Sequence, residues 1–485
     1  MKYKYTGQSC QMCDAWYLNV EERIHVFNLR LPEGYSVGHA YTDDLLSFNI
    51  CDDILPVLPE KDFPEDCLSK YTGCAITGKD GLHYIYYTMR NSEGRQQIGL
   101  ATSKDLKNFA LHENNPVLFP DEAVFGIKNN MDCRDMIVVY DNEKDIYYGY
   151  FATMALINGN MTGAVGMAYS YDLVKWENQK IVYAPKSHGV IEVPDVFFMD
   201  GKWYLTFLTH ASFGMRGVIG DSHVTTATLY AVSDTPDGTF EDVTDNVLIG
   251  GGAESGYTCR TFIYKGDRCL LYIDKSKNDW AVSYPKKISI VNGDLCACYH
   301  PLLENLRAEH KSSCPDSGMF ELQSTSVAWK TGTGEIYSED NCMLMSTDNY
   351  TYQHAILKNC RCSSLEIVAD IEPLCKECGF SIDVYNKDGN LTDKKFIAAD
   401  AEEKTLSFYE GGLSFICKQR RKYNFVPGER FNLRIIASEG QLEAYVNDLL
   451  IIQTAMETGA FMTPGILCGK GKVKAYNFNC YELKN

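Results

Sequence analysis

The chain contains no stretch of about 18 uncharged apolar residues, which excludes a membrane-spanning helix. Its start, MKYKYTGQSC, carries lysines with no apolar run behind them, so the expectation is an unexported, cytoplasmic protein. Positive charge is also in short supply. Against 64 acidic residues stand 46 basic ones, a net charge of −18, and such a field repels phosphate backbones and anionic headgroups. Nucleic acid and membrane surfaces are excluded as partners on that ground. The low hydrophobicity of disordered chains is absent too, since 45% apolar and 12% aromatic residues suffice for a sizeable core. A disulfide framework is a poor reading of the 19 cysteines, an odd number in a long chain without an export signal. Two pairs have Cys-x-x-Cys spacing, Cys10/Cys13 and Cys375/Cys378, but they lie too far apart in sequence for a zinc ribbon. They are read as reduced, small core residues, and no metal or cofactor is assigned.

At roughly 100–200 residues per domain, 485 residues make two to four domains. An internal repeat narrows this. VGHAYTDDLLSF at 37–48 returns as IGLATSKDLKNF at 98–109, as VGMAYSYDLVKW at 165–176 and, degenerately, as TLYAVSDTPDGTF at 228–240. A period of roughly 60 residues is too long for a helical solenoid. Each copy alternates small and apolar residues, turns at Ser/Thr-x-Asp, and follows an aromatic strand such as HYIYYTMR, IYYGYFATM or KWYLTFLTH. Units of a few antiparallel strands fit propeller blades. Residues 1–300 hold five, the last running through TFIYKGDRCLLYID to KKISIVNGDL with its turn signature lost. The polar stretch within 301–324 reads as a connector with a short helix. From 325 to 485 alternating strands with frequent turn signals predict a β-sandwich. The expected fold class is all-β, a five-bladed propeller followed by a sandwich.

A propeller gathers the innermost strand of each blade around a central depression, so acids distant in sequence can converge there. Asp14 in QMCDAWYL, Asp135 in MDCRDMIVVY and Glu192 in GVIEVPDVFF sit in or beside apolar runs that open blades, where a solvated surface carboxylate is less expected. Three carboxylates in one depression would raise one pKa by mutual repulsion, as a general acid for glycoside hydrolysis requires. The alternative is that they form strand-end turns or pair with arginines such as Arg134.

The motifs resemble those of glycoside hydrolase family 32, the invertase, inulinase and levanase family. VGHAYTDDLLSF is similar to its Trp-Gly-His-Ala-x-Ser-x-Asp-Leu-x-x-Trp segment, and Asp14 through IHVF at 24–27 to its opening Asn-Asp-Pro-Asn-Gly and Tyr-His-Leu-Phe-Tyr-Gln. YTGCAITGKDGLHYIYYT at 71–88 resembles Phe-Ser-Gly-Ser-Ala, CRDMIVVY at 133–140 resembles Arg-Asp-Pro-x-Val, and EVPDVF at 192–197 resembles Glu-Cys-Pro-Asp-Leu-Phe. LEAYVNDLLIIQTAM at 442–456 is similar to the family's C-terminal sandwich strand. The resemblance implies a retaining double displacement with Asp14 as nucleophile, Glu192 as acid/base and Asp135 holding sugar hydroxyls. Retention needs the nucleophile and acid about 5–5.5 Å apart. Arg134 then becomes a partner for hydroxyls or carboxylates, and Asp195 a group that orients Glu192; both also read as structural ion pairs.

The departures concern the sugar's surroundings. Cys13 stands where the family has Asn, and Ala15, Trp16 and Tyr17 replace Pro-Asn-Gly. His25-Val26-Phe27-Asn28-Leu29 lacks the sugar-contacting Gln, leaving Asn28 as a candidate contact; Val37 replaces Trp, and Thr72 and Cys74 replace serines. Trp16 and Tyr71 are candidate stacking surfaces, with core packing as the alternative. Thr72, His39 and His188 complete the candidate substrate contacts. The expected partner is a short or unusual fructoside oligosaccharide. Two rivals stay open: an inverting arabinosidase or xylosidase of glycoside hydrolase family 43, and a sugar-binding propeller without turnover. The sandwich either covers one propeller face or carries a homodimer contact.

Overall fold

A computed structural model describes residues 11–484 apart from 32–33, 58–68, 186–188, 214–217, 220–221, 224–225, 252–255, 276–279, 314–316, 325–333, 340–341, 348–351, 412–415 and 458. Among the described residues, helix is confined to one α turn, Glu122–Phe125, and three short 3-10 segments. The all-β expectation holds.

Four antiparallel sheets of four strands each follow one another along the chain. They open with the strands Gln11–Val20, Lys70–Thr77, Cys133–Asp141 and Glu192–Met199. Middle strands are buried on both faces, as in Ile146–Ile157, so they read as nearly continuous apolar runs. An apolar cluster fills each gap. Trp16 and Phe27 of the first sheet meet Ile85 and Tyr87 of the second, Tyr86 and Leu100 of the second meet Met136 and Phe151 of the third, and Tyr150 and Val165 of the third meet Val196 and Phe207 of the fourth. Phe197 and Tyr204 of the fourth pack with Leu270 and Tyr272, and Phe262 and Leu271 of that last group pack with Met12 and Val26 of the first sheet. The ring of faces therefore closes in a propeller-like arrangement.

The repeat's turn has a local cause. Thr42, Ser103 and Ser170 accept at their hydroxyls from the amides of Leu45, Leu106 and Leu173 at 2.8, 3.0 and 2.9 Å. Asp44, Asp105 and Asp172 each accept from two amides further on. The leucine between takes a left-handed φ of 62°, 58° and 64° and is driven into the core. In the fourth copy Thr235 and Pro236 occupy the Asp and Leu positions; proline has no amide to give, and among the described residues the Ser233 hydroxyl keeps only the Thr235 amide at 3.4 Å.

After the fourth sheet, Tyr257–Tyr264, Asp267–Asp274, Lys286–Val291 and Asp294–Tyr299 pair in succession, but they are not a separate sheet. Among the described residues a single paired position, Cys298 opposite Leu449, joins them to a large C-terminal sheet. There Leu365–Tyr385 and Phe461–Leu483 run antiparallel along nearly their whole length. Their flanks bury one apolar cluster containing Ile367, Leu433 and Ile435 together with Phe380, Ile397 and Ile466. Gly379 has φ 155°, and a Cβ there would lie 2.1 Å from the Ile397 carbonyl, so only glycine fits where the strand passes this close. Within 301–324, Pro301–Leu306 and Ser317–Met319 are 3-10 turns, whereas Arg307–Ser313 and Phe320–Ser324 pair into the large sheet. A buried polar seam ties the two parts: Lys286 Nζ to Glu443 at 2.7 Å, Tyr272 Oη donating to Glu443 at 2.7 Å, and Gln441 Nε2 donating to Asp274 at 2.6 Å.

Candidate active site

Five strands neighbour one another around the ring: the four opening strands and Tyr257–Tyr264, which touches both the fourth and the first. Each carries a bulge near its start. The register breaks between Cys13 and Trp16, Tyr71 and Gly73, Arg134 and Ile137, Glu192 and Asp195, and Tyr257 and Arg260. In four of them a residue without a glycine's freedom is left-handed: Asp14 (φ 44°), Asp135 (58°), Val193 (49°) and Thr258 (48°). For β-branched Val193 and Thr258 this is a costly conformation, of the kind that clusters at functional sites. Bulges also re-aim side chains, and here they bring the acids together.

Asp14 is half-buried and held at both oxygens. Thr72 Oγ1 donates to Oδ2 at 2.6 Å, and Cys13 Sγ donates to Oδ1 at 2.9 Å. Burial and the Asp14 charge keep the Cys13 thiol well above its usual range, so it serves as a neutral donor. Asp135 is 4% exposed; its Oδ2 accepts from the Val193 amide at 3.0 Å, and its own amide donates to Thr88 Oγ1 at 3.0 Å. Buried Arg134 lies between the acids, with Nε 3.6 Å from Asp135 and Nη2 3.7 Å from Glu192, while Nη1 donates to Asp132 at 2.9 Å.

Burial pushes the Asp135 carboxyl up to about 6; Arg134 opposes this and Asp14 adds to it. Burial likewise pushes Glu192 up to about 7, with Arg134 opposing and Asp135 and Asp14 adding. Three carboxylates thus share one field, and Glu192 keeps its proton near neutrality.

The remaining candidates divide. Thr72 and Arg134 belong to the cluster. Trp16 does not offer a stacking face: it is 1% exposed, packed beside Phe27 in the core between the first two sheets. Asn28 is fully buried and accepts from Arg30 Nη1 at 3.0 Å. Asp195 faces the neighbouring strand, accepting from the Thr261 amide at 2.7 Å, and acts as a staple between strands. Tyr71 is half-buried with its ring against Gly34. His39 packs on Phe27 and meets His25 at 3.0 Å, in the first sheet's own interior. His188 and Cys10 lie outside the described residues. Cys378 is core as expected, but Cys13 is a hydrogen-bond donor to Asp14 and not filler.

Sequence reasoning missed three groups. Arg260, 1% exposed, donates from Nη2 to the Asp135 carbonyl at 3.0 Å. The Tyr257 hydroxyl is held far above its usual range by burial and by the charges of Asp14 and Glu192. Lys275 stands 2.9 Å from the Tyr257 ring centroid, and its charge reaches both Cys13 and Glu192. One signal was available: the Cys-Arg of YTCRTFIY repeats that of CRDMIVVY.

Clustered carboxyl groups around an arginine, one protonated near neutral pH, are the equipment of a glycosidase. The chain belongs to glycoside hydrolase family 32: residues 19–271, just over half of it, match the family model described as the glycosyl hydrolases family 32 N-terminal domain. No curated protein sequence matches the chain. Among solved structures it is similar to a GH32 β-fructofuranosidase of Bombyx mori, with 16% identity, TM-score 0.71, and 100% of this chain and 94% of that one covered. It is similar as well to fructan 1-exohydrolase IIa of Cichorium intybus (16%, TM-score 0.70, 100% and 97%) and to sucrose-6-phosphate hydrolase of Lactobacillus gasseri (14%, TM-score 0.70, 100% and 93%).

Proposed function

We propose that this glycosidase is a retaining β-fructofuranosidase-like enzyme acting on short or unusual fructosides. The observation that carries the reading is the convergence of Asp135 and Glu192 on Arg134 within the field of Asp14, with Glu192 raised to about 7. Asp14, fixed by Thr72 and Cys13, attacks the anomeric carbon as Glu192 gives its proton to the leaving oxygen. A fructosyl ester forms on Asp14. Glu192, now a carboxylate, takes a proton from water, whose oxygen breaks the ester and restores both acids. Asp135 and Arg134 hold sugar hydroxyls through the transition state. A mutant of the Bombyx mori β-fructofuranosidase is known in complex with sucrose, and a mutant of the Cichorium intybus exohydrolase in complex with 1-kestose; both support a small fructoside as the substrate class.

The same reading makes Tyr257–Tyr264, Asp267–Asp274, Lys286–Val291 and Asp294–Tyr299 a fifth blade, since their first strand closes the ring. The large sheet, folded over one apolar cluster, is then a trailing sandwich.

The test is reducing-sugar release from sucrose, short inulin and levan oligosaccharides, difructose anhydrides and nitrophenyl arabinofuranoside, with the product anomer followed by NMR. Cleavage of a fructoside with retention, abolished in Asp14→Asn and Glu192→Gln, supports the assignment. Inversion, or activity on the arabinoside alone, overturns it.

A further inference from the structure

The C-terminal sheet holds a group of thiols that the acid chemistry does not use. Cys360 lies on the turn after Tyr352–Leu357, Cys362 pairs with Met462 where the long strands begin to run together, and Cys480 belongs to the final strand opposite Ile367. All three are buried, at 4%, 0% and 0% exposure, and their sulfur atoms lie within 4.8 Å of one another. Cys360 and Cys362 Sγ are 3.7 Å apart.

We infer that Cys360, Cys362 and Cys480 form a trithiolate site for a thiophilic closed-shell cation, Zn2+ or Cu+. With metal–sulfur bonds of about 2.3 Å, sulfur–sulfur separations are about 3.8 Å in a tetrahedron and about 4.0 Å in a trigonal plane. The observed 3.7 Å already fits, and the bound of 4.8 Å leaves adjustments of an ångström or less. Soft sulfur donors in a buried apolar setting select these cations over Mg2+ or Ca2+. An entry path exists. Cys360 lines a surface cavity of about 300 Å³ whose other walls include Lys358, Arg361, Asn359, Thr463 and Glu321. That opening admits the ion and leaves a fourth position for water on Zn2+, while Cu+ is content with three sulfurs. Each thiol releases a proton to solvent as its metal–sulfur bond forms.

The bond would join the turn at 360–362 to the last strand, closing a loop of more than a hundred residues. It would act as a clasp on the C-terminal sheet. Cys375, which also touches Cys378 and Cys468, is not part of a second such set: among the described residues only the first group closes within 4.8 Å.

The experiment uses the full chain, purified reduced and without chelator. Metal content is measured, then Zn2+ and Cu+ are each titrated against a chromophoric competitor, for wild type, Cys360→Ser, Cys480→Ser and the exposed-thiol control Cys417→Ser. One equivalent of one cation bound by wild type and the control, and at least a hundredfold weaker in both cluster variants, supports the site. In wild type alone, stripping the ion should lower the unfolding temperature, and readdition at a hundredfold excess over Kd should raise it by roughly 3 °C in a chain of 485 residues. This arm stands even if a cluster variant fails to fold. Retention weaker than micromolar for both cations, unchanged binding in Cys480→Ser, or a disulfide within the cluster in the reduced protein overturns the inference.

Discussion

Replacing Glu192 with Gln should stabilise the fold while removing activity, and only above a defined pH. The native carboxyl is raised to about 7 by burial and by the neighbouring acids, against about 4.3 in an unfolded chain. Below 4.3 both states hold the proton and the group contributes nothing. Between about 4.3 and 7 the folded state holds a proton that the unfolded state has released, so native stability falls as pH rises, and the loss is complete above 7. Between two and three pH units at about 1.4 kcal/mol each give a penalty of about 3 kcal/mol. Gln keeps the shape of the protonated acid and carries no charge, so Glu192→Gln should gain about 3 kcal/mol over wild type at pH 8.5 and nothing near pH 4. Loss of its contact with Arg134, at 3.7 Å, subtracts little. Urea midpoints of both proteins at the two pH values measure this, and turnover should fall by about 10²–10⁴, the range of a general acid. A gain that is absent at pH 8.5, or equal at both pH values, refutes the burial argument.

In wild type the alkaline limb of kcat/KM should lie near 7; because Arg134 holds Glu192 and Asp135 down, Arg134→Met should move that limb to higher pH while lowering its plateau. Thr72→Val keeps the volume but removes the 2.6 Å donor to Asp14, a bond to a charged group worth about 1.5–3 kcal/mol to the folded state, so stability in urea should fall by about that amount and kcat should drop roughly 10–100-fold as Asp14 loses its fixed position. Lys286 and Glu443 form an ion pair at 2.7 Å with both side chains buried. Lys286→Met should destabilise the chain by about 3–5 kcal/mol in urea, and adding Glu443→Leu should recover part of it because no buried charge is then left alone.

The sequence by itself determined what short-range pattern can carry. Strand alternation, the aromatic runs and the Ser/Thr-x-Asp turn are set within a dozen residues, and the structure returns them as sheets and as capped turns around Leu45, Leu106 and Leu173. The opening strands and their acids at 14, 135 and 192 were legible because each blade repeats the same order. Tertiary structure alone decided the rest. Trp16 and Asn28 have the composition of sugar contacts, yet packing between the first two sheets buries Trp16, and Asn28 is buried against Arg30 of its own strand. The bulges that turn Asp14, Asp135 and Glu192 inward are mismatches between strands, visible only once partners are paired. Cys13 became a donor to Asp14 because the bulge folds it back, and Arg260, Tyr257 and Lys275 entered the site because ring closure carries the strand after residue 256 beside the first. The thiols of Cys360 and Cys480 meet for the same reason: register across long antiparallel strands brings together residues that no local periodicity relates.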